Sequence, residues 1–311
     1  MDKLIITAAL TGNITLPTQT PYLPITPDQI AEDAVKCVNA GAASIHVHAR
    51  DPKTGQPSSD PEVYRQIATL IKAKTNAIFV PTTGGTMNMT PQERLRLVPA
   101  LKPEMATCNL GSINFSIHPL VDRYKAEDWK NSWEKDFAAG TKDFIFRNTF
   151  GDIEIFYKTM LENNTKPEFE AYDIGHLYNI AFFLRKGIIK PPVWIQFVTG
   201  ILGGIGSDLE NIMFMKSTAD RLIGMQNYKF SVIGAGYPAE FHADCLSMMI
   251  GGNVRVGIED NLFISKGVLA KGSWELVEKV VRLAKELGRE IATPDEARQI
   301  LGLKGKEQVN F

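Results

Sequence analysis

Short apolar runs alternate with longer amphipathic segments along this whole chain, and the alternation restricts its fold more than any other feature. The apolar runs have the length of buried parallel strands, and each is followed by a segment of helical character. The predicted strands are 4–9, 44–48, 77–81, 105–108, 169–172, 193–198, 228–233 and 254–258. Eight strand-then-helix units predict an α/β protein with a (β/α)8 TIM barrel fold. An open doubly wound sheet is the alternative, but no dinucleotide-binding fingerprint follows the first run.

Three of the predicted helices begin with the same arrangement of capping residues. At 26–29, 90–93 and 293–296, a threonine is followed by a proline and, at the third helical position, by glutamine or glutamate. This combination of N-cap, first-turn proline and capping box favours helix initiation. No domain-scale linker interrupts the units, so we predict a single barrel domain over residues 1–311, in which 288–311 form a C-terminal helix and tail. Such a tail is expected to pack on a neighbouring subunit or to fray.

The charge balance and the cysteines exclude several classes of protein. The chain has 34 basic and 35 acidic side chains, so it offers no general attraction for nucleic acid or an anionic membrane. Its longest apolar stretch, 193–205, contains a glutamine and three glycines, so no membrane span is expected. The three cysteines are widely separated, which indicates reduced thiols and a cytoplasmic protein.

A candidate metal site begins with His46 and His48, which alternate with aliphatic residues in the second predicted strand. Residues two apart on a strand point to the same side, so both imidazoles can bind one metal ion; a hydrogen-bonded histidine pair is the alternative. Glu259 follows the eighth strand, two strands away once the barrel closes, and is the predicted third ligand. An ion pair with Arg255 is its alternative role. Two histidines and a carboxylate form a catalytic zinc set, although iron(II) or manganese also tolerates it.

Further polar residues are predicted at the carboxyl ends of the strands, where the active sites of such barrels lie. In chain order they are Asn13, Thr82, Thr83, Gly84, Gly85, Thr107, Asn109, Glu168, Glu170, Arg255 and Asp260. The turn 82–85 offers hydroxyls and backbone donors that suit a carboxylate or phosphate, although a Gly-Gly turn also occurs for its geometry alone. Asp260 near Arg255 has the form of a base with its charged partner. Sequence does not decide its protonation, because burial and a nearby cation shift its pKa in opposite directions.

Several motifs along the chain resemble those of one family. They are HVHAR at 46–50, TTGG at 82–85, KPEFEAYD at 166–173, VRVGIEDN at 254–261 and the ending ATPDEARQILGL at 292–303. Together they make nearly the whole chain similar to the β-keto acid cleavage enzymes, the family typified by 3-keto-5-aminohexanoate cleavage enzyme. The histidine motif and the VRVGIEDN motif are specific as a pair, and neither would suffice alone.

The resemblance implies a zinc-dependent carbon–carbon cleavage, in which a 3-keto acid and acetyl-CoA give acetoacetate and a new acyl-CoA. It implies one zinc ion per subunit, held by His46, His48 and Glu259, that polarises the keto oxygen and stabilises an enolate. It also implies a homotetramer, whose small-molecule partners are the 3-keto acid and the CoA thioester.

Roles for the remaining residues follow from the same resemblance. Asp260, held by Arg255, is implied as the base that takes a proton from acetyl-CoA. Glu170, with Glu168 as the alternative, is implied to belong to the same charged network. The substrate carboxylate is implied to bind hydroxyl and backbone donors of the turn 82–85, with Thr107 opposite.

The chain departs from the amine-recognising member of the family directly after the first strand. That member has a glutamate there, whereas this chain has threonine, glycine, Asn13 and Ile14. An acidic side chain suits a cationic substrate, while Asn13 and Ile14 suit a neutral or hydroxylated tail. The predicted substrate is therefore a 3-keto acid other than 3-keto-5-aminohexanoate.

Two other functions compete with this prediction. Metal-dependent hydrolases of the amidohydrolase kind also carry a His-x-His pair in a barrel, but on the first strand and with further histidines after strands five and six. Here the pair falls on the second predicted strand, and no histidine lies between the sixth and seventh. A non-catalytic metal-binding or acyl-CoA-binding barrel is the second alternative, because a fold alone does not prove catalysis.

Overall fold

Eight parallel strands form the centre of the computed structural model, which describes residues 2–87 and 89–311. They are β1 (Ile6–Ala9), β2 (Ser44–Val47), β3 (Ile78–Pro81), β4 (Met105–Asn109), β5 (Lys166–Ala171), β6 (Val193–Thr199), β7 (Tyr228–Gly234) and β8 (Asn253–Val256). Their hydrogen-bonded order is β3-β2-β1-β8-β7-β6-β5-β4, so β8 pairs with β1. The predicted (β/α)8 barrel is confirmed.

The two ends of this order, β3 and β4, meet through hydrogen bonds that involve side chains. The amide of Thr83 donates to Thr107 Oγ1 at 2.9 Å, and the Thr83 hydroxyl donates to the Thr107 carbonyl at 2.6 Å. Both residues are fully buried. This contact, which we call the seam, joins β3 to β4 and so brings the outermost strands of the sheet together.

Helices surround the strands in the order that the sequence predicts. They are α1 (Pro27–Ala40), α2 (Pro61–Lys74), α3 (Pro91–Leu95), α4 (Leu97–Leu101), α5 (Ser132–Gly140), α6 (Phe150–Glu162), α7 (Ile174–Arg185), α8 (Leu209–Ile223), α9 (Ala239–Met249), α10 (Ser273–Glu286) and α11 (Pro294–Leu301). The predicted capping boxes are present at the starts of α1, α3 and α11. Within the described ranges, no helix is long and apolar enough to cross a membrane.

The amino-terminal end of the barrel is filled with apolar side chains. Ile78 of β3, Met105 of β4 and Trp194 of β6 belong to one buried cluster with Leu301 of α11. Helix α11 is held there by Arg298, which donates to both carboxylate oxygens of a buried glutamate at the start of β4, each at 2.9 Å. Because this end is packed, the polar residues of the strands are grouped at the opposite, carboxyl end.

The C-terminal tail packs on its own barrel. The ring of Phe311 lies 5.4 Å from the ring of Phe79 in β3, centroid to centroid. The amide of Asn310 donates to the carbonyl of Leu101 at 2.8 Å, and Lys72 of α2 donates to the Phe311 carbonyl at 2.9 Å. The tail does not fray, because its aromatic end finds a partner within the same chain; its packing on a neighbouring subunit stays a prediction.

The long connection between β4 and α6, residues 110–149, forms a cap across the carboxyl end of the barrel. It contains α5, and Trp133 of α5 donates from Nε1 to the carbonyl of Thr54, in the loop after β2, at 3.0 Å. Glu134 accepts a hydrogen bond from the amide of Thr18, in the loop after β1, at 2.9 Å. Trp129 and Trp133 pack with apolar neighbours of the cap and of the first loop, and so help to hold the two together.

Candidate active site

The end of β2 presents the two predicted histidine ligands, and a buried threonine fixes the second of them. Strand pairing ends at Val47, one residue earlier than predicted, so His48 lies just beyond it. The Thr11 hydroxyl donates to the His48 carbonyl at 2.6 Å and accepts from the His48 amide at 3.0 Å. The His46 and His48 rings face the same side, with centroids 5.0 Å apart. Thr11 therefore holds the backbone of His48 where the regular ladder stops.

Glu259 reaches these histidines from the turn after β8, because two glycines remove the obstacles. Strand β8 ends at Val256, two residues before the predicted end, and Gly257 follows with φ 152°. A Cβ at Gly257 would lie 2.0 Å from the carbonyl oxygen of Ala9. Gly12, with φ 61°, passes beneath the glutamate, and a Cβ there would lie 2.7 Å from Glu259 Cγ. The close approach of these loops sets the position of the carboxylate.

The three predicted ligands converge on one point. Glu259 Oε1 lies 3.5 Å from His46 Nε2 and 3.2 Å from His48 Nε2, and one ligand atom from each residue lies within 4.8 Å of the others. Tetrahedral zinc with bonds of about 2.1 Å separates its ligands by about 3.4 Å. Glu259 Oε2 is buried and has no hydrogen-bond partner among the described residues. The residues present therefore fit a divalent metal ion.

The protonation states of these ligands also suit a metal. Burial lowers the pKa of His46 to about 4, so its imidazole is neutral at pH 7. Burial opposes the ionisation of Glu259, but His48 and Arg255 outweigh it and lower the pKa of Glu259 well below its usual range. Neutral imidazole and ionised carboxylate are the forms that coordinate a cation.

Replacing Gly12 by alanine is expected to weaken zinc binding at least about tenfold, since displaced metal ligands and their supports typically cost that much. The added Cβ would meet Glu259 Cγ at 2.7 Å. Gly187→Ala is the matched control, because Gly187 has a similar φ of 69° with nothing within 4 Å of the added atom. Competition against a chromophoric chelator measures the zinc affinity of each variant. Equal affinities for Gly12→Ala and the wild type would contradict the role assigned to Gly12.

Arg255 links the candidate metal ligand to two further carboxylates. Its Nε donates to Asp260 Oδ2 at 2.8 Å and its Nη2 donates to Asp260 Oδ1 at 3.1 Å, a two-point contact. Nη2 also donates to Glu259 Oε1 at 2.7 Å, and Nη1 lies 3.6 Å from Glu170 Oε1. Arg255 is almost fully buried. It therefore fixes the orientation of Asp260 beside the metal ligands.

The carboxyl groups around Arg255 differ in their readiness to ionise. Burial raises the pKa of Asp260 to about 6, with Arg255 opposing the rise. Burial raises the pKa of Glu170 to about 8, again against Arg255. At pH 7 the Asp260 carboxylate can accept a proton, whereas Glu170 is largely protonated. Glu168 accepts from Trp194 Nε1 at 2.8 Å and does not line the cavity. Of the two glutamates, Glu170 is the one that contacts Arg255.

A cavity of about 100 Å³ opens over this cluster. Its polar side consists of His48, Glu170, Arg255, Glu259 and Asp260. Its other side is uncharged and largely apolar, with aromatic residues from the cap and from the end of β5. These aromatic residues are Phe115, Phe137, Phe144, Phe146 and Tyr172. Ionisable side chains and a set of aromatic side chains, which we call the aromatic wall, thus line the same small space.

Most of the predicted substrate-binding residues line this cavity. They are Asn13, Thr82, Gly84, Gly85 and Asn109. The Asn13 side-chain amide donates to the carbonyl of Gly85, and Thr82 Oγ1 accepts from the amide of Gly84 at 2.9 Å. Both amide atoms of Asn109 are buried without a hydrogen-bond partner among the described residues. Asn109 therefore has a donor and an acceptor available for a ligand.

Thr83 and Thr107 do not join the other predicted substrate-binding residues. Neither lines the cavity, and each uses its hydroxyl in the seam between β3 and β4. Their assignment to the substrate carboxylate stays a prediction. The seam gives both hydroxyls a structural role in barrel closure, which sequence alone does not distinguish from ligand binding.

Arg50 was given no role by the sequence, and it organises the loop after β1. Its Nη2 donates to the carbonyls of Thr11, Gly12 and Thr15 at 3.0, 2.6 and 2.7 Å. Its Nη1 donates to the carbonyl of Gly55 at 2.9 Å. Its place in the HVHAR motif was the feature of the sequence that could have indicated this role.

The aromatic residues that the cap contributes to the cavity were not predicted either, because the connection 110–149 has no periodic pattern that indicates where its side chains lie.

Comparison with known proteins agrees with this geometry. A family model described as beta-keto acid cleavage enzyme matches residues 3–303. The chain belongs to the β-keto acid cleavage enzyme family. Its resemblance to this family, predicted from the motifs, is confirmed.

Relatives of the family share nearly the full length of the chain. The 3,5-dioxohexanoate:acetyl-CoA acetone transferase of Paraburkholderia graminis is 44% identical, over 99% of this chain and 98% of the relative. A 3-keto-5-aminohexanoate cleavage enzyme of Fusobacterium nucleatum is 39% identical, over 98% of this chain and 99% of the relative. A ternary complex of ObcA has a TM-score of 0.70 at 18% identity, covering 91% of this chain and 68% of that chain. At that identity, the ObcA match shows the barrel fold alone.

Proposed function

We propose that this β-keto acid cleavage enzyme uses acetyl-CoA to cleave a 3-keto acid with an uncharged tail, giving acetoacetate and a new acyl-CoA. The observation that carries the proposal is the cavity in which three converging metal ligands adjoin an arginine-held aspartate. The names of relatives that act with acetyl-CoA, including a 3-oxoadipate:acetyl-CoA acetyltransferase of Cupriavidus necator at 29% identity, support the co-substrate.

His46, His48 and Glu259 would hold the metal, which we propose to be zinc. When bound there, zinc supplies a Lewis acid that polarises the keto oxygen of the substrate. The ligand set also accepts iron(II) or manganese, so metal analysis of the purified enzyme decides the ion. Arg255 keeps the positions of Glu259 and Asp260 fixed relative to each other.

Asp260 would take its proton from the carbon between the keto group and the carboxylate of the 3-keto acid. Forming acetoacetate requires a bond from that carbon to the acetyl carbonyl, so the proton cannot come from acetyl-CoA as the sequence had led us to expect. The new bond displaces CoA thiolate. The thiolate then attacks the original keto carbon, breaks its bond to the former nucleophilic carbon and leaves as acyl-CoA, while Asp260 returns the proton to acetoacetate.

The substrate carboxylate would lie between the turn after β3 and the end of β4. Thr82 Oγ1 accepts from Gly84, so its hydroxyl proton is available for the substrate. Asn109 Nδ2, which has no hydrogen-bond partner among the described residues, adds a second donor from the opposite side of the seam. In this arrangement Thr82 keeps the role that the resemblance implied for it, and Asn109 takes the part implied for Thr107.

The substrate tail would be uncharged, because the cavity outside the Arg255 cluster offers it no ionic partner among the described residues. Ile14 lines the cavity there, and the Asn13 amide is used by Gly85. The aromatic wall supplies apolar contacts instead. The relative at 44% identity is named for 3,5-dioxohexanoate, whose tail is a ketone, whereas the relative at 39% is named for an amine.

A labelling experiment tests the proposed reaction. The enzyme is incubated with a panel of 3-keto acids and acetyl-CoA that is labelled with carbon-13 in both acetyl carbons, and the products are identified by mass spectrometry. We expect the label in acetoacetate and none in the new acyl-CoA. Label in the acyl-CoA would overturn the bond assignment, and cleavage that proceeds without acetyl-CoA would favour a hydrolase.

Ile14→Glu is expected to move the substrate preference toward an amine by at least about tenfold in kcat/KM, because a carboxylate there complements a cation. Ile14→Gln is the matched control, with the same shape and no charge. The ratio of kcat/KM for 3-keto-5-aminohexanoate and for 3,5-dioxohexanoate measures the preference. An equal shift in both variants would show that polarity alone, and not charge, sets the specificity.

The homotetramer is predicted from the resemblance to the family, and the cytoplasmic location is predicted from the cysteine pattern. In support of an oligomer, α6, α7 and α8 expose Phe150, Phe182 and Phe214. Exposed apolar side chains grouped on neighbouring helices are typical of subunit interfaces. Light scattering coupled to size-exclusion chromatography measures the number of subunits, and a monomer would contradict this part of the proposal.

A further inference from the structure

The active-site cavity leaves most of acetyl-CoA without a place. Its volume of about 100 Å³ is far too small for a whole acetyl-CoA molecule. The pantetheine arm, the diphosphate and the adenosine phosphate must therefore lie outside. An adjoining surface that is open, long enough and able to bind phosphate is required by the proposed function, on which this inference rests.

A cleft of about 570 Å³ lies beside the cavity and shares part of its wall. The residues that line both spaces are Gly84, Thr86, Met87, Phe144 and Phe146. These residues of the turn after β3 and of the cap thus form a wall that is common to both spaces. A thioester arm that crosses this wall reaches the cavity on the side of Thr82, where the keto acid is placed.

Two arginines are among the described residues that line the cleft, and they differ in whether their guanidinium groups are free to bind a ligand. Arg94 is buried, and its guanidinium donates to the carbonyls of Thr83 and Arg147 and to Asn148 Oδ1, at 2.8, 2.8 and 2.7 Å. Arg147 has a side chain that is 62% exposed, and its Nη2 donates to Asp152 at 3.0 Å. One edge of the Arg147 guanidinium is anchored while the rest faces solvent. Arg147 is therefore the group that can receive a phosphate.

The remainder of the cleft suits the other parts of CoA. Ile145 is 63% exposed and lines the cleft next to Arg147, so an apolar surface adjoins the cation. Asp143 lies on the same lip and is also exposed. Arg147 is paired with Asp152 and the lip carries a further carboxylate, so phosphate binding here depends on the position of the guanidinium and not on a broadly positive surface.

We propose that this cleft is the CoA-binding site of the enzyme. The pantetheine arm passes between the turn 84–87 and the cap residues Phe144 and Phe146, and a phosphate of CoA binds Arg147. Ile145 packs against the apolar part of the nucleotide. The binding is non-covalent, and the thioester chemistry stays in the adjoining cavity.

Kinetics with two thioesters test the assignment. Arg147→Ala is expected to raise KM for acetyl-CoA about tenfold, with KM for the keto acid unchanged. With S-acetylpantetheine, which has no diphosphate or nucleotide, the variant and the wild type should have equal kcat/KM. Arg147→Lys should recover part of the loss. Arg185→Ala, which removes an exposed arginine at the end of α7, is the matched control.

Ile145→Glu provides a second variant, which leaves both partners of the Arg147–Asp152 ion pair in place. It places a negative charge in the cleft and is expected to raise KM for acetyl-CoA but not for S-acetylpantetheine. If the wild type has no acetyl-CoA-dependent activity, the proposed function fails. If the wild type is active while Arg147→Ala and Ile145→Glu keep its KM for acetyl-CoA, the proposed function stands and the cleft assignment is wrong.

Discussion

Asp260→Asn is expected to lower kcat for acetyl-CoA-dependent cleavage by about a thousandfold, the typical size of a general-base contribution. Asparagine keeps the shape of aspartate and can still accept one hydrogen bond from Arg255, which now donates to both Asp260 oxygens. The substitution therefore removes the proton acceptor while it keeps the local packing. Steady-state kinetics and the zinc content of the variant are measured together.

Glu168→Gln is the matched control for this experiment. Glu168 is fully buried in the same barrel, but it is bound to Trp194 and lies outside the cavity. We expect Glu168→Gln to change kcat far less than Asp260→Asn does. Full activity of Asp260→Asn with a normal zinc content would show that another group takes the proton.

His46→Ala is expected to reduce bound zinc from about one ion per chain to a trace, and to reduce kcat at least about a thousandfold. His46 is 1% exposed and has its Nε2 at 3.5 Å from Glu259 Oε1, so no other described side chain can take its place without moving the strand. Elemental analysis of the purified protein measures the metal, and a chelator-treated wild type resupplied with zinc shows whether activity follows the ion.

His242→Ala is the control for the loss of a histidine, because His242 is exposed on α9. It should retain the metal and the activity of the wild type. If the wild type contains no stoichiometric metal, and His46→Ala has the same metal content, the proposed metal site is wrong and the three residues form a hydrogen-bonded cluster instead.

The convergence of His46, His48 and Glu259 could be predicted from the sequence because each step rested on a regular element. Spacing of two along a strand places His46 and His48 on one side, and barrel closure brings the end of β8 near β2. The prediction of the strand boundary was less accurate. Residues 257 and 258 are apolar or small and extend the pattern, but the positive φ of Gly257 turns the chain out of the sheet.

Roles that depend on tertiary contact could not be predicted in the same way. The hydroxyls of Thr83 and Thr107 form hydrogen bonds across the seam because their strands are the two ends of the sheet order. This pairing arises only when the barrel closes, so neither local sequence predicts it. The same holds for the cap, whose aromatic side chains reach the cavity through an irregular backbone.

The contacts of Arg50 have a consequence for how this enzyme can diverge. Its guanidinium binds main-chain carbonyls of Thr11, Gly12 and Thr15, which every amino acid would offer equally. Arg50 therefore stabilises the shape of the loop through contacts that do not depend on the side chains at positions 13 and 14. Positions 13 and 14 line the cavity from this loop, so we expect them to change under selection for a new substrate while the anchors that support the loop are inherited unchanged.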